Sequence, residues 1–368
     1  MRIRAHRLYT AQGVRELDRR AIEDHGIAGY ELMVRAGRAA LRLLRLRWPR
    51  ARRIAVYCGG GNNGGDGLVV ARLAREAGFA VDLGLAGDPE RLQGAAGEAW
   101  QAWVEAGGDA LSLDAVDPAA SDLIVDALLG TGLDRNVRGA IGAAIETING
   151  VTVPALALDI PSGLQADSGA VMGIAVRAEA TITFIGYKRG LFTAAGPDCI
   201  GALFSDDLDV PTAVYAEDDP AIEVITRAEA ARALPRHRPA AHKGDRGRVL
   251  VVGGDHGYAG AARLAAEASL RAGAGLVSVA TRALHAPALV AACPELMARG
   301  IEDPAGELPD LLAAADVVVA GPGLGSGDWG RAALAAIRQA APRQLLLDAD
   351  ALNLGVAEPS LAPTRAIV

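Results

Sequence analysis

An apolar run, Ile54-Ala55-Val56-Tyr57, passes directly into Cys58-Gly59-Gly60-Gly61-Asn62-Asn63-Gly64-Gly65-Asp66-Gly67. Leu68, Val69, Ala71, Leu73 and Ala74 then follow at helical spacing. A strand that turns into a helix through a loop with so few side chains is half of a βαβ unit. Such units build largely parallel sheets covered on both faces. Glycines permit φ > 0 and let a ligand approach the main chain. The helix start behind them offers unpaired N–H groups.

The alternation continues along the chain. Thr10 is placed to N-cap a first helix with Val14, Leu17 and Ala21 on one face, and Leu32, Ala36, Ala39, Ala40, Leu43 and Leu44 mark a second. Strands are expected at 54–57, 80–85, 123–127, 155–158 and 180–185, with helices after Gly67, around 95–106 and at 141–148. From 216 to 240 the texture changes. Glu217-Asp218-Asp219-Pro220 and Leu234-Pro235-Arg236-His237-Arg238-Pro239 are polar breaks, read as a linker between a domain 1–215 and a domain 241–368. The βα theme then restarts with strand 249–252, glycine loop Gly253–Gly260 and the small-residue helix 261–272. Strands 276–280, 317–320 and 345–347 follow, and Ile367-Val368 begins a further one. The two halves share a theme without a residue-level repeat.

Bulk properties narrow the function classes. A length of 368 residues suggests two domains at roughly 100–200 residues each. With 51% hydrophobic and 22% charged residues the chain reads as folded, and its 4% aromatic share points to close packing of small side chains. A net charge of −7 argues against a broad nucleic-acid face. Arg45, Arg47, Arg50, Arg52 and Arg53 are read as a solvated helix end. Cys58, Cys199 and Cys293 form no C-x-x-C pair, which supports neither a zinc knuckle nor a disulfide framework and fits a reducing compartment. No apolar h-region follows the N-terminal basic residues, and no apolar stretch approaches the ~18 residues needed to span a membrane.

Gly59, Gly61 and Gly64 satisfy G-x-G-x-x-G, which opens the reading of a dinucleotide-dependent dehydrogenase. Asp66 would then lie close to the pyrophosphate, and repulsion opposes this unless a cation intervenes. Asn62, Asn63 and Asp66 instead present oxygens suited to sugar hydroxyls, a cation, or both. Two further strand ends are decorated. Asp126 precedes Ala127-Leu128-Leu129-Gly130-Thr131-Gly132-Leu133-Asp134-Arg135, and Asp159 precedes Ile160-Pro161-Ser162-Gly163. Each Asp alone could be a helix cap or turn residue. Together, Asn63, Asp126, Asp159 and Ser162 can converge on one crevice outside the carboxyl ends of the strands. No G-x-S-x-G, G-x-x-x-x-G-K-[ST] or H-E-x-x-H is present, so the common hydrolase, P-loop and zincin readings lack their residues.

These segments, with Leu32-Met33 and Ala36-Gly37, resemble NAD(P)H-hydrate epimerases over residues 10–215. The resemblance implies an N-terminal Rossmann-like, three-layer α/β/α domain. It implies that Asn62, Asn63, Gly64, Gly65 and Asp66 bind the hydrated nicotinamide nucleotide together with Gly130, Thr131, Gly132, Leu133, Asp134, Arg135 and Asn136. It further implies that Asn63, Asp126 and Ser162 bind K⁺ and that Asp159 contacts the substrate. Asp159 is the candidate catalytic residue, since acid–base work needs a positioned titratable group.

The second half resembles the ADP-dependent NAD(P)H-hydrate dehydratases, a ribokinase-like α/β family. The matching residues are His242-Lys243-Gly244, Gly247-Arg248-Val249, Gly260-Ala261-Ala262, the run Arg271–Val277, Gly321-Pro322-Gly323-Leu324-Gly325 and Asp348–Asn353. The resemblance implies ADP or ATP with Mg²⁺, and a substrate site that includes Ala261, Ala262, Gly323 and Gly325. That family continues into Thr-Pro-His-Pro-Gly-Glu and Gly-Thr-Gly-Asp segments, the latter with the catalytic Asp, and neither occurs before Val368. The expectation is therefore a partial domain without dehydratase activity. Leu345–Leu347 and Ile367-Val368 are expected to lack cover, which would favour self-association.

The resulting expectation is repair of hydrated NADH and NADPH (NADHX and NADPHX) by epimerisation of their R and S forms. Small molecules are the partners, with no nucleic acid and no membrane, in a cytoplasmic assembly of identical chains. The competing classes are a nucleotide-binding module without catalysis and a conventional NAD-dependent dehydrogenase.

Overall fold

The computed structural model describes residues 7–216, 222–234 and 238–367. Two compact units divide the chain, Met1–Ala233 and Leu234–Val368. The division falls inside the expected linker 216–240. The first polar break at 217–220, Pro235, Arg236 and His237 of the second, and Val368 lie outside the described residues.

The first unit contains β1 (Arg7–Tyr9), β2 (Arg53–Cys58), β3 (Ala80–Leu85), β4 (Leu123–Ala127), β5 (Ala155–Leu158), β6 (Ala180–Phe184), β7 (Tyr187–Lys188), β8 (Ala202–Asp206) and β9 (Ile222–Glu223). Six of them form one parallel sheet in the order β3-β2-β4-β5-β6-β8. The chain runs outward from β2 to β3 and returns to β4 on the other side of β2. The strand order therefore reverses between β2 and β4, where open α/β sheets form a ligand crevice.

Both faces of this sheet are covered. Ile54, Val56 and Cys58 join a core with the helices Gly29–Arg47, Asn62–Glu76 and Gly94–Glu105. Ala55 and Tyr57 point the other way, into a core with the helix Gly139–Asn149. Two buried faces explain why β2 reads as a continuous apolar run rather than an alternation. Thr10 caps the first helix, Ala11–Arg19, by accepting from Gly13 N. The arginines from Arg45 to Arg53 follow the exposed end of the helix Gly29–Arg47, apart from Arg53 at the start of β2.

A second, three-stranded sheet in the order β7-β1-β9 has no counterpart in the sequence reading. Leu8 and Tyr9 of β1 pair in parallel with Tyr187 and Lys188, and Arg7 and Leu8 pair antiparallel with Glu223 and Ile222. Strands of two or three residues are too short to carry a period.

The second unit contains β10 (Arg248–Val252), β11 (Leu276–Thr281), β12 (Met297–Gly300), β13 (Val317–Ala320) and β14 (Leu345–Leu347), all parallel, in the order β12-β11-β10-β13-β14. Ile367 adds a parallel bridge to Leu346, as the terminal apolar residues suggested. The expectation that β14 lacks cover is corrected. Leu345 and Leu347 are only 4% and 8% exposed. They share a core with Trp329, Ala333, Leu334 and Ile337 of the helix Asp328–Ala340 and with Ala351 and Leu354 of the helix Asp350–Ala357. Ile367 remains exposed. Cys58, Cys199 and Cys293 are free thiols. Among the described residues no helix is long and apolar enough to cross a membrane.

Candidate active site

A cleft of about 750 Å³ opens in the first unit, over the crevice between β2 and β4. Its walls come from the glycine loop and helix start, from residues 128–135, from Asp159 with Phe184 and Ile185, and from Arg15 and Asp18 of the first helix. Most of the expected substrate-binding residues line it: Asn62, Asn63, Gly64, Asp66, Gly130, Thr131, Gly132, Leu133, Asp134, Arg135 and Asp159. Gly65 and Asn136 do not. Gly65 faces Met33, where an added Cβ would come within 2.6 Å of the thioether. Asn136 stands beside Gly173.

The glycines of the loop serve two purposes. A Cβ on Gly59 would lie 1.9 Å from the Leu128 carbonyl oxygen, and one on Gly64 would lie 1.8 Å from the Gly59 carbonyl oxygen. Those two let the main chain cross itself. Gly61 and Gly132 have nothing within 4 Å of an added Cβ, and both line the cleft. Their bareness faces open space where a ligand can approach.

Beneath the cleft wall, Asn63, Asp126 and Ser162 gather around Leu128-Leu129. Asp126 is the penultimate residue of β4 and is fully buried. Its Oδ1 accepts from Ser162 Oγ at 2.6 Å and from Leu128 N at 3.3 Å, and its Oδ2 accepts from Ser162 N at 2.8 Å. Ser162 Oγ accepts from Leu129 N at 2.8 Å, and Asn63 Nδ2 donates to the Leu129 carbonyl at 3.0 Å. Burial pushes the Asp126 carboxyl up to about 6, against the hydrogen bonds from Ser162. Asn63 Oδ1 is buried with no hydrogen-bond partner among the described residues. A buried acceptor left unsatisfied calls for an explanation, and a bound ion is one.

Asp159 sits one residue past β5 in the left-handed region, at φ 66°. For a non-glycine residue this conformation is strained, and it persists only where the surroundings hold it. Here Asp159 N donates to the Ile182 carbonyl at 2.7 Å. Oδ1 accepts from Phe184 N at 3.2 Å, from Thr183 Oγ1 at 3.5 Å and from Lys188 Nζ. Lys188 is fully buried, and its Nζ also donates to Thr183 Oγ1 at 2.9 Å and the Phe184 carbonyl at 3.1 Å. Among the described residues Oδ2 of Asp159 takes no hydrogen bond, and the residue lines the cleft.

Two participants escaped the sequence reading. Lys188 follows Gly186-Tyr187 and looks like the polar end of a strand. Asp18 sits among Glu16, Arg19 and Arg20 and looks like part of a solvated face. A signal for Asp18 existed: Val14, Leu17, Asp18 and Ala21 follow the i, i+3, i+4, i+7 spacing of a buried stripe. Burial pushes the Asp18 carboxyl up to about 6, the charge of Asp159 adds to this, and Lys188 opposes it. Asp66 is held well above the usual carboxylate range, first by burial and then by Asp159 and Asp18. Three carboxyls thus line the cleft, and one of them is paired to the buried Lys188.

In the second unit, the expected residues gather at the ends of β10 and β13. Gly254 N donates to the Pro322 carbonyl and Asp255 N to the Gly323 carbonyl, at 3.1 and 2.7 Å. Gly323 is buried against Tyr258, Ala262 is buried under Gly254, and Gly325 N donates to Asp350 Oδ2 at 2.9 Å. Asp350 therefore ties the start of its helix to the loop at Gly325.

The family model for the YjeF-related protein N-terminus matches residues 29–190, and the model for NAD(P)H-hydrate dehydratase matches residues 249–366. The bifunctional NAD(P)H-hydrate repair enzyme Nnr of Coxiella burnetii is 45% identical over 354 residues, which span 96% of this chain and 72% of that protein. The Nnr protein of Escherichia coli is 44% identical over 362 residues, spanning 98% of this chain and 70% of that one. This chain belongs to the bifunctional NAD(P)H-hydrate repair enzymes. It joins an isomerase, the epimerase, to a lyase, the dehydratase. The crystal structure of the yeast protein ynu0 shares the fold at a TM-score of 0.51 and 19% identity, covering 58% of this chain and 94% of that one. Since the dehydratase match reaches residue 366, the expectation of a truncated second domain with its activity lost is not supported. A conventional NAD-dependent dehydrogenase is likewise set aside by this membership.

Proposed function

We propose that the first unit interconverts the R and S forms of NADHX and NADPHX with Asp159 as acid–base group, and that the second unit dehydrates the S form using ADP or ATP with Mg²⁺. The observation that carries the epimerase part is Asp159 itself. A strained residue, ion-paired on one oxygen to a buried lysine and free on the other, opens on a cleft beside a bare glycine loop. A nucleotide-binding module without catalysis has no need of that arrangement.

The hydroxyl to be inverted sits on the ring carbon C6, next to N1. It must leave from one face and return to the other. The N1 lone pair can support the positive charge that develops at C6, and protons must be supplied to the departing oxygen and removed from the arriving one. In this reading Asp159 Oδ2 carries out that transfer, supported by the bond from Lys188 to its partner oxygen. The helix start at Asn62 and the rim arginines Arg15 and Arg135 suit the phosphates of the substrate.

Asn63, Asp126 and Ser162 fit a hard monovalent cation: all offer oxygen, and Asn63 Oδ1 lacks a partner. They would hold K⁺, which supplies a fixed positive charge beside Asp126 near an anionic substrate. The proposal includes a cytoplasmic setting and an assembly of identical chains, with no nucleic-acid or membrane partner. The net charge of −7 supports the exclusion of nucleic acid.

The test is to follow conversion of R-enriched NADHX to the S form by the purified chain, with K⁺ present or replaced by an organic cation. Conversion that rises with K⁺ is expected, and no conversion under either condition would sink the epimerase assignment. Asn63→Leu is expected to lower the rate by roughly tenfold or more and to erase the response to K⁺, because it removes the unsatisfied oxygen. A variant that still responds to K⁺ would take Asn63 out of the cation site.

A further inference from the structure

We infer that Asp18 is a second catalytic residue of the epimerase site, the carboxylic acid that gives a proton to the departing hydroxyl while Asp159 takes one from the incoming water. The inference rests on the epimerase reading of the cleft. Asp18 comes from a different element than Asp159, the helix Ala11–Arg19, and lines the same cleft. It is half-buried, yet among the described residues it forms no hydrogen bond and no ion pair. A sunken carboxyl without partners is costly as an anion and readily keeps its proton. The titratable groups that interact with it are Asp159, Lys188, Asp66, which lines the same cleft, and the phenol of Tyr215. Its neighbours in sequence, Arg19 and Arg20, are engaged by Glu16.

A carboxyl that holds its proton, beside one paired to lysine, is the division of labour by which two like groups serve as acid and base. The Asp18 proton passes to the C6 hydroxyl oxygen, the C6–O bond breaks, and water leaves. The N1 lone pair becomes the C6=N1 double bond, with the positive charge on that unit. Water then adds to the opposite face, the C=N electron pair returns to N1, and the released proton goes to Asp159 Oδ2. One water leaves, one enters, and one proton has moved from Asp18 to Asp159. Exchange with solvent in the open cleft restores the starting state.

Asp18→Asn, Asp18→Glu and Asp66→Asn in the full chain test this, with R-to-S and S-to-R rates measured between about pH 5 and 8. Asp18→Asn is expected to lower kcat by ~10²-fold or more with KM little changed. An acid works only when protonated, so the wild-type rate should fall as pH rises past the Asp18 titration, and Asp18→Asn should lose that limb. Asp18→Glu should recover part of kcat and keep the limb. Melting curves guard against misfolding. With its folded-state pKa raised, Asp18 contributes stability at low pH that is lost as pH rises through about 6, so Asp18→Asn should melt no lower than wild type above neutrality. An unchanged kcat, a change confined to KM, or loss of the limb in Asp66→Asn alone would overturn the inference. Should Asp159→Asn be inactive and Asp18→Asn fully active, only the role of Asp18 falls. A wild-type chain that does not epimerise NADHX removes the reading beneath it.

Discussion

Asp159→Asn is expected to reduce epimerisation by ~10²–10⁴-fold while the fold persists. The amide keeps the shape of the carboxyl and can still accept from Phe184 N. Asparagine also tolerates the left-handed backbone that Asp159 adopts at φ 66°. What it cannot do is take up a proton from water or neutralise Lys188. The buried ammonium keeps Thr183 Oγ1 and the Phe184 carbonyl as acceptors, which limits the structural damage. Turnover of R-NADHX and a melting curve on the same preparation check both halves of the statement. Wild-type turnover would reduce Asp159 to a binding or structural residue.

Gly64→Ala should destabilise the first unit strongly. Its Cβ would stand 1.8 Å from the Gly59 carbonyl oxygen and 2.6 Å from that carbonyl carbon. Both atoms are main chain, so no side chain can swing aside. The loop and the start of the helix Asn62–Glu76 would have to separate. Overpacking of this kind costs about 3 kcal/mol or more, or ~6–12 °C in Tm for a unit of this size. Gly61→Ala is the control. Its added carbon meets nothing within 4 Å, so Tm should hold while KM for the hydrated nucleotide rises. Equal losses of stability in the two variants would contradict the division of the loop into packing and ligand-facing glycines.

The central strands were legible because burial on both faces leaves an unmistakable apolar run. β4 and β5, buried along their whole length, begin and end where that run does. Thr10 was legible as a cap because few residue types can satisfy a free helix N–H. β8 was missed because its edge position leaves it half-exposed, in the mixed run Ala202-Leu203-Phe204-Ser205-Asp206. At the site, Asp159 stood out through its place after an apolar strand. Lys188 did not, because its burial depends on Asp159 and Thr183, and nothing in the local sequence announces a partner 29 residues away. Asp18 was hidden differently. Its spacing was that of a core residue, but its charge suggested solvent.

The three-stranded sheet β7-β1-β9 has a thermal consequence. Lys188 is half of β7, and among the described residues β7 is joined to the rest of that sheet only through the Leu8 and Tyr9 register with β1. This sheet, with strands of two or three residues, holds far less cooperative structure than the six-stranded sheet beside it. Short pairings of that kind, with both residues of β9 exposed at one side, hold few cooperative hydrogen bonds and are expected to open before the global transition, although Leu8, Tyr9 and Lys188 are themselves buried. Fraying there would release the ammonium from Asp159 while the nucleotide cleft stayed formed. On warming, turnover should therefore fade several degrees below the unfolding midpoint and recover on cooling, with the amide protons of residues 8–9 and 187–188 exchanging ahead of those in β2 and β4.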